Sequence, residues 1–163
     1  MATGSLTESG SLFMADSGWL VRYRATVYPL VNLAVLLVAG TLVTAAGPHA
    51  GDRSPSRTVP RLQIEITTLV HLHSSLLVAY LALLVGLGFG LLAVRASRPV
   101  LIRLGVLLLL VCAQGLIGTV QFFTGVPAAL VAVHVAGAAA CTAATAALWA
   151  SMRERAKAES LES

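Results

Sequence analysis

Two histidines, His73 and His134, lie within stretches otherwise too apolar for anything but a lipid bilayer. An ionisable side chain inside a transmembrane helix is costly, and by default it marks a binding site, a proton path or a cofactor. A neutral imidazole is a good nitrogen donor to iron, so two of them can ligate one metal from opposite faces. Whether this pair can act together depends on the helices that carry it.

Those helices follow from charge. No Asp, Glu, Lys or Arg occurs between Arg24 and Asp52, from Ile66 to Val94, or from Leu104 to Met152. A span needs about 20 mainly apolar residues, so the first two runs supply one helix each and the third supplies two. Phe123-Thr124-Gly125-Val126-Pro127 divides the third run, with Gly125 suited to ending one helix and Pro127 to the first turn of the next. The reading is an all-α integral membrane four-helix bundle with helices at about 25–46, 64–94, 100–123 and 127–152. A mean hydropathy of +0.86 agrees with it.

The net charge of +4 reports orientation rather than an acidic partner. Arg22, Arg24, Arg95, Arg98, Arg103, Arg153, Arg155 and Lys157 fall on one side, whereas Arg53, Arg57 and Arg61 on the other are diluted by Asp52 and Glu65. The positive-inside rule then places both termini in the cytoplasm and the loop from Gly47 to Gln63 outside. These charges anchor topology in the lipid, and nucleic acid is not an expected partner. Residues 1–18, rich in Ser and Gly with Glu8 and Asp16, read as a disordered lead-in. Residues 19–155 form the transmembrane domain and 156–163 a cytoplasmic tail. The segment fits neither a signal peptide nor a mitochondrial presequence. Ten of the eleven basic residues are Arg, and with the Ala, Val and Leu excess this composition points to a GC-rich bacterial genome, so the expected location is a bacterial cell membrane.

Cys112 and Cys141 both fall inside predicted helices and read as packing residues. No Cys-x-x-Cys-His motif is present, so any haem is held without a covalent bond.

Gly40-Thr41 is followed by Gly47, and Gly118-Thr119 by Gly125, at the same spacing. Each precedes a returning helix with a histidine in its outer half, so the chain reads as a duplicated helical hairpin. His134 lies about 10 Å along its helix from Pro127 and His73 about 13 Å from Ile64. Their depths match. In an antiparallel bundle helices 2 and 4 are diagonal, with axes roughly 12 to 14 Å apart, and a haem fits between them.

His71 is two residues from His73, a rotation of about 200°, so only one of them can face a central cofactor. His73 is preferred for its depth and its flank of Ser74 and Ser75, which leaves His71 a supporting or interhelical role and His49 a loop position. Gln114 and Gln121, seven residues apart on nearly one face, either serve a cofactor or join helices, and the two readings weigh equally. Arg57 and Arg61 are candidates for propionates at the external surface. The bland alternative for the histidines is interhelical hydrogen bonding with nothing bound.

Gly40-Thr41-Leu42-Val43-Thr44-Ala45-Ala46-Gly47-Pro48-His49-Ala50-Gly51-Asp52, then Leu72-His73-Ser74-Ser75, then Gln114 to Pro127 and Leu130-Val131-Ala132-Val133-His134 together resemble the C-terminal half of an actinobacterial-type heme A synthase, over about residues 20–155. Such enzymes have two four-helix halves and oxidise a methyl group of heme O to the formyl group of heme A. The resemblance implies haem b as a non-covalent cofactor, with His73 and His134 as its axial ligands; Gln114, Gln121 and Arg61 remain candidates for its surroundings on the residue reading above. It implies heme O as substrate of the complete enzyme, an N-terminal catalytic half as partner, and a heme O-forming prenyltransferase as a neighbour. In the family the substrate-binding half carries a glutamate one turn before its first histidine, and Val70 stands there here. The expected catalytic carboxylate is absent, and Glu65 lies too near the helix start to replace it. The chain is accordingly expected to be a split-gene subunit, a truncated product or a decayed half. The alternatives are a stand-alone bis-histidine b-type electron carrier and a cofactor-free scaffold or transport subunit.

Overall fold

A computed structural model describes the backbone of residues 5–47 and 62–162, and the side chains of residues 26–47 and 62–153. Four helices follow one another: α1 (Ser5–Ala46), α2 (Ile66–Ala93), α3 (Arg98–Phe123) and α4 (Ala128–Glu162). Each contains a segment long and apolar enough to cross a membrane, and no strand occurs among the described residues. The chain is an all-α, multi-pass membrane protein.

Helix α1 starts well before the expected residue 25 and runs through most of the segment read as a disordered lead-in. Extending a formed helix adds one hydrogen bond per residue fixed, and no proline interrupts α1 before Pro29. The ends facing the Arg95 and Gly125 turns have specific causes. At the end of α2, Arg95 takes φ 50° and the Ala96 N–H donates to the Leu91 carbonyl at 2.8 Å. At the end of α3, Gly125 takes φ 76° and Val126 φ 59°, and the Val126 N–H donates to the Gln121 carbonyl at 2.8 Å. Both turns close by the left-handed C-cap route, which gives the last carbonyls a partner. Gly125 adopts that conformation without steric cost, as its position in the breaker suggests. Val126 precedes Pro127, which disfavours helical backbone at that residue.

Packing runs in a ring. α1 lies against α2, α2 against α3, α3 against α4, and α1 closes on α4, leaving α1/α3 and α2/α4 as the diagonals. The seam is legible as a heptad stripe on α3, where Val100, Leu104, Leu107, Val111 and Gln114 are buried at alternating steps of four and three. Leu33, Leu36, Leu84, Leu148 and Tyr80 meet that stripe. Large apolar side chains such as Val78, Phe89 and Leu109 face outward, where lipid solvates them as well as a core would.

One buried bond crosses the α2/α4 diagonal. The Tyr80 hydroxyl and Thr145 Oγ1 are 2.8 Å apart, and Thr145 Oγ1 also lies 2.7 Å from the Cys141 carbonyl. A carbonyl only accepts, so the Thr145 proton goes to Cys141 and Tyr80 donates to Thr145. The Tyr80→Phe, Thr145→Val double-mutant cycle, read by reversible unfolding in mixed detergent, is expected to give a coupling of about 0.6 kcal/mol and at most about 1.7 kcal/mol, the average and upper values for interhelical hydrogen bonds in membranes. Additive losses would show that the bond contributes nothing.

Candidate functional site: a histidine pair on the bundle axis

The two expected histidines converge. His73 on α2 and His134 on α4 have ring centroids 6.3 Å apart and planes inclined at 68°. The expected axis separation of 12 to 14 Å is spanned because both side chains project inward from diagonal helices.

Close approach of α1 and α3 to the rings depends on two glycines. A Cβ at Gly40 would stand 3.0 Å from His73 Cε1, and one at Gly118 would stand 3.3 Å from His134 Cε1. Each histidine thus lies on the backbone of the preceding helix, at the glycine that begins the Gly-Thr repeat. His73 Nδ1 lies 3.2 Å from the Leu36 carbonyl, one turn before Gly40. Since the carbonyl only accepts, Nδ1 is assigned the proton and Nε2 keeps a free lone pair.

The repeat extends to the cavity that contains the pair. Gly40 and Gly118 are 78 positions apart, as are Leu33 and Val111, and Leu36 and Gln114. His73 and His134 are 61 positions apart, as are Leu77 and Ala138, and Tyr80 and Cys141. All of these except the two glycines line one cavity, with about 440 Å³ not filled by protein atoms, counting its open side. Equivalent positions of the two hairpins therefore line the cavity together, and its two walls differ in size. Leu36, Leu77 and Tyr80 on one side face Gln114, Ala138 and Cys141 on the other.

Gln114 is buried and shares the cavity with both histidines. Its side-chain amide fills the notch at Gly137, where any Cβ would overlap it. Gln121 lies two turns nearer the Gly125 end and does not line the cavity, and its Oε1 is buried without a partner. His134 Nδ1 is likewise buried and unpartnered, although the carbonyl equivalent to that of Leu36 would be that of Gln114. His71 is exposed on the far side of α2, as the 200° rotation requires. Ser74 and Ser75 are exposed as well, and Ser74 Oγ donates to the His71 carbonyl at 3.0 Å. The serine flank that favoured His73 in the sequence therefore does not mark the interior face, because residues adjacent to an inward position turn away from it. Arg57, Arg61 and His49 lie outside the described residues.

Glu65 precedes α2, and its carboxylate accepts from Thr67 Oγ1 at 2.8 Å and Thr68 Oγ1 at 3.4 Å. It is not among the residues that line the cavity, and none of the described lining residues is acidic. Cys141 lines the cavity while Cys112 is exposed, and both are free thiols. Tyr80, Thr145, Gly40, Gly118 and Gly137 did not stand out as site residues in the sequence. The heptad register through His134, Ala138, Cys141 and Thr145 is the signal that places the α4 members on one seam.

The donor set restricts what can bind. Among the described residues no group of three or more His, Cys, Asp or Glu clusters, so a bare ion would find only two imidazoles. A macrocyclic iron brings its own equatorial nitrogens and requires only axial donors. An imidazole nitrogen binds a first-row metal at about 2.0–2.1 Å and lies about 1.2 Å from its ring centre, so two imidazoles sharing one metal between them would have centres roughly 6.4 to 6.6 Å apart at most. The observed 6.3 Å is close to that separation.

The chain matches no protein-family model, no curated protein and no solved structure. The notch at Gly137 is directly testable. Gly137→Ala is expected to destabilise the bundle by about 1–3 kcal/mol through overpacking, and adding Gln114→Ala is expected to recover most of the loss. Detergent unfolding midpoints of the single and double variants provide the check, and no recovery would show that Gln114 does not fill the notch.

Proposed function

We propose that the chain is the haem b-binding, electron-transfer half of a heme A synthase-type membrane oxidoreductase. The observation that carries the reading is the pair His73 and His134, 6.3 Å apart at equivalent positions of a duplicated hairpin. His73 and His134 would hold the haem, which would supply a one-electron couple. The Leu36 carbonyl holds the His73 Nδ1 proton and so leaves the Nε2 lone pair available, as the outer partners of metal-bound histidines do. Gly40 and Gly118 let both rings lie against the backbone, and the apolar walls keep water from the centre. The oxidation of the heme O methyl group belongs to a partner half carrying the carboxylate that Val70 replaces here. The Arg-rich end faces the cytoplasm of a bacterial cell and the Gly47 end faces outward, by the positive-inside rule.

A second reading, a stand-alone b-type electron carrier, draws support from the described lining of the cavity, where the two histidines and Gln114 stand among mainly apolar side chains. Both readings share one test. Purified in detergent from haem-replete cells, the wild type is expected to show a redox-sensitive, low-spin b-type spectrum. Both His73→Ala and His134→Ala are expected to lose that bis-histidine spectrum. A colourless wild type would sink both readings and leave a cofactor-free scaffold. Heme A formation on co-expression with a four-helix half bearing the Glu-x-x-His pattern separates the synthase from the carrier.

A further inference from the structure

The two histidines are related by the repeat but are not held alike. His73 donates from Nδ1 to the Leu36 carbonyl, whereas His134 Nδ1 is buried with no partner. The contacts around them differ in the same direction. The wall belonging to the His73 hairpin carries Leu77 and Tyr80, and Tyr80 is tied across the bundle to Thr145. The equivalent positions beside His134 are Ala138 and Cys141, both smaller. Gly118 is also slightly farther from its imidazole than Gly40 is, at 3.3 against 3.0 Å.

A ring with a fixed tautomer and a filled surround has little freedom to leave a metal. A ring whose Nδ1 has no partner and whose cavity neighbours on its own helix are Ala and Cys is held by fewer contacts, even with Gln114 seated at Gly137. We infer that His73 is the fixed axial ligand and His134 the exchangeable one, so that the α4 side of the cavity accepts a small uncharged donor such as imidazole or carbon monoxide. This rests on the haem-binding reading above. The exchange replaces one coordinate bond by another: the His134 Nε2 lone pair leaves the iron, the incoming donor supplies its own, and no electron or proton changes hands.

The test uses the full chain loaded with haem b in detergent. Outer partners of metal ligands are worth about 10- to 100-fold in affinity, so His134→Ala is expected to retain haem about tenfold more tightly than His73→Ala. In His134→Ala, added imidazole is expected to restore a six-coordinate low-spin ferric spectrum, and carbon monoxide is expected to bind the dithionite-reduced form at once. Retention is read by gel filtration and haem titration, coordination by the Soret band, and folding by circular dichroism. If either alanine variant loses helicity, His73→Leu and His134→Leu, which refill the volume without a donor atom, give the same ranking. Equal retention by the two variants, including loss from both, or tighter retention by the His73 variant overturns the inference while a coloured wild type leaves the haem reading standing. A colourless wild type overturns both.

Discussion

Backbone closeness at two points governs the centre of this bundle. Gly40 and Gly118 leave no Cβ between their helices and the imidazoles of His73 and His134, so each ring lies on a neighbouring backbone. A methyl group at either position would press on a ring, and in a close-packed interior such pressure moves helices rather than dissipating. The separation of the imidazoles, the cavity between the diagonals and the reach of the Leu36 carbonyl to His73 all follow from that approach.

Low dielectric makes the polar accounting strict. In lipid a hydroxyl without a partner costs free energy, and most threonines solve this on their own helix. Thr41, Thr44, Thr119 and Thr142 each donate to a carbonyl one turn back. Thr145 does the same and then accepts from Tyr80, which turns a local solution into a link across the diagonal. Against that background the buried unpartnered atoms stand out: His134 Nδ1, Gln121 Oε1 and Asn32 Oδ1. The first belongs to the central pair and the second lies above it on the same seam. Asn32 lies on the other side of the cavity, and nothing in the structure accounts for its oxygen.

A duplicated hairpin builds a symmetric frame and then permits its halves to diverge. Positions 78 apart on α1 and α3, and 61 apart on α2 and α4, line the same cavity from opposite sides. The histidines and glycines are retained in both halves. The remaining pairs, Leu with Gln, Leu with Ala and Tyr with Cys, exchange bulk for space or polarity. Gln114 with Gly137 is the clearest case, a polar side chain seated where its helix partner gave up a side chain.

Length, charge and breaker residues determined the helices. Charge-free runs require four spans because lipid excludes ions, and Gly125 before Pro127 forces the last reversal because only certain backbones can turn there. Helical periodicity also determined that His71 and His73 cannot both face inward. Tertiary structure decided which one does, since the choice depends on the face α2 presents to α1 and α4, and serine neighbours proved no guide to it. It decided as well that Gln114 reaches the cavity while Gln121 does not, and that Tyr80 finds Thr145 across the diagonal. The spacing of residues along a chain gives their angle around one helix. Which angles become interior, and at what distance, is decided only when helices far apart in sequence pack together.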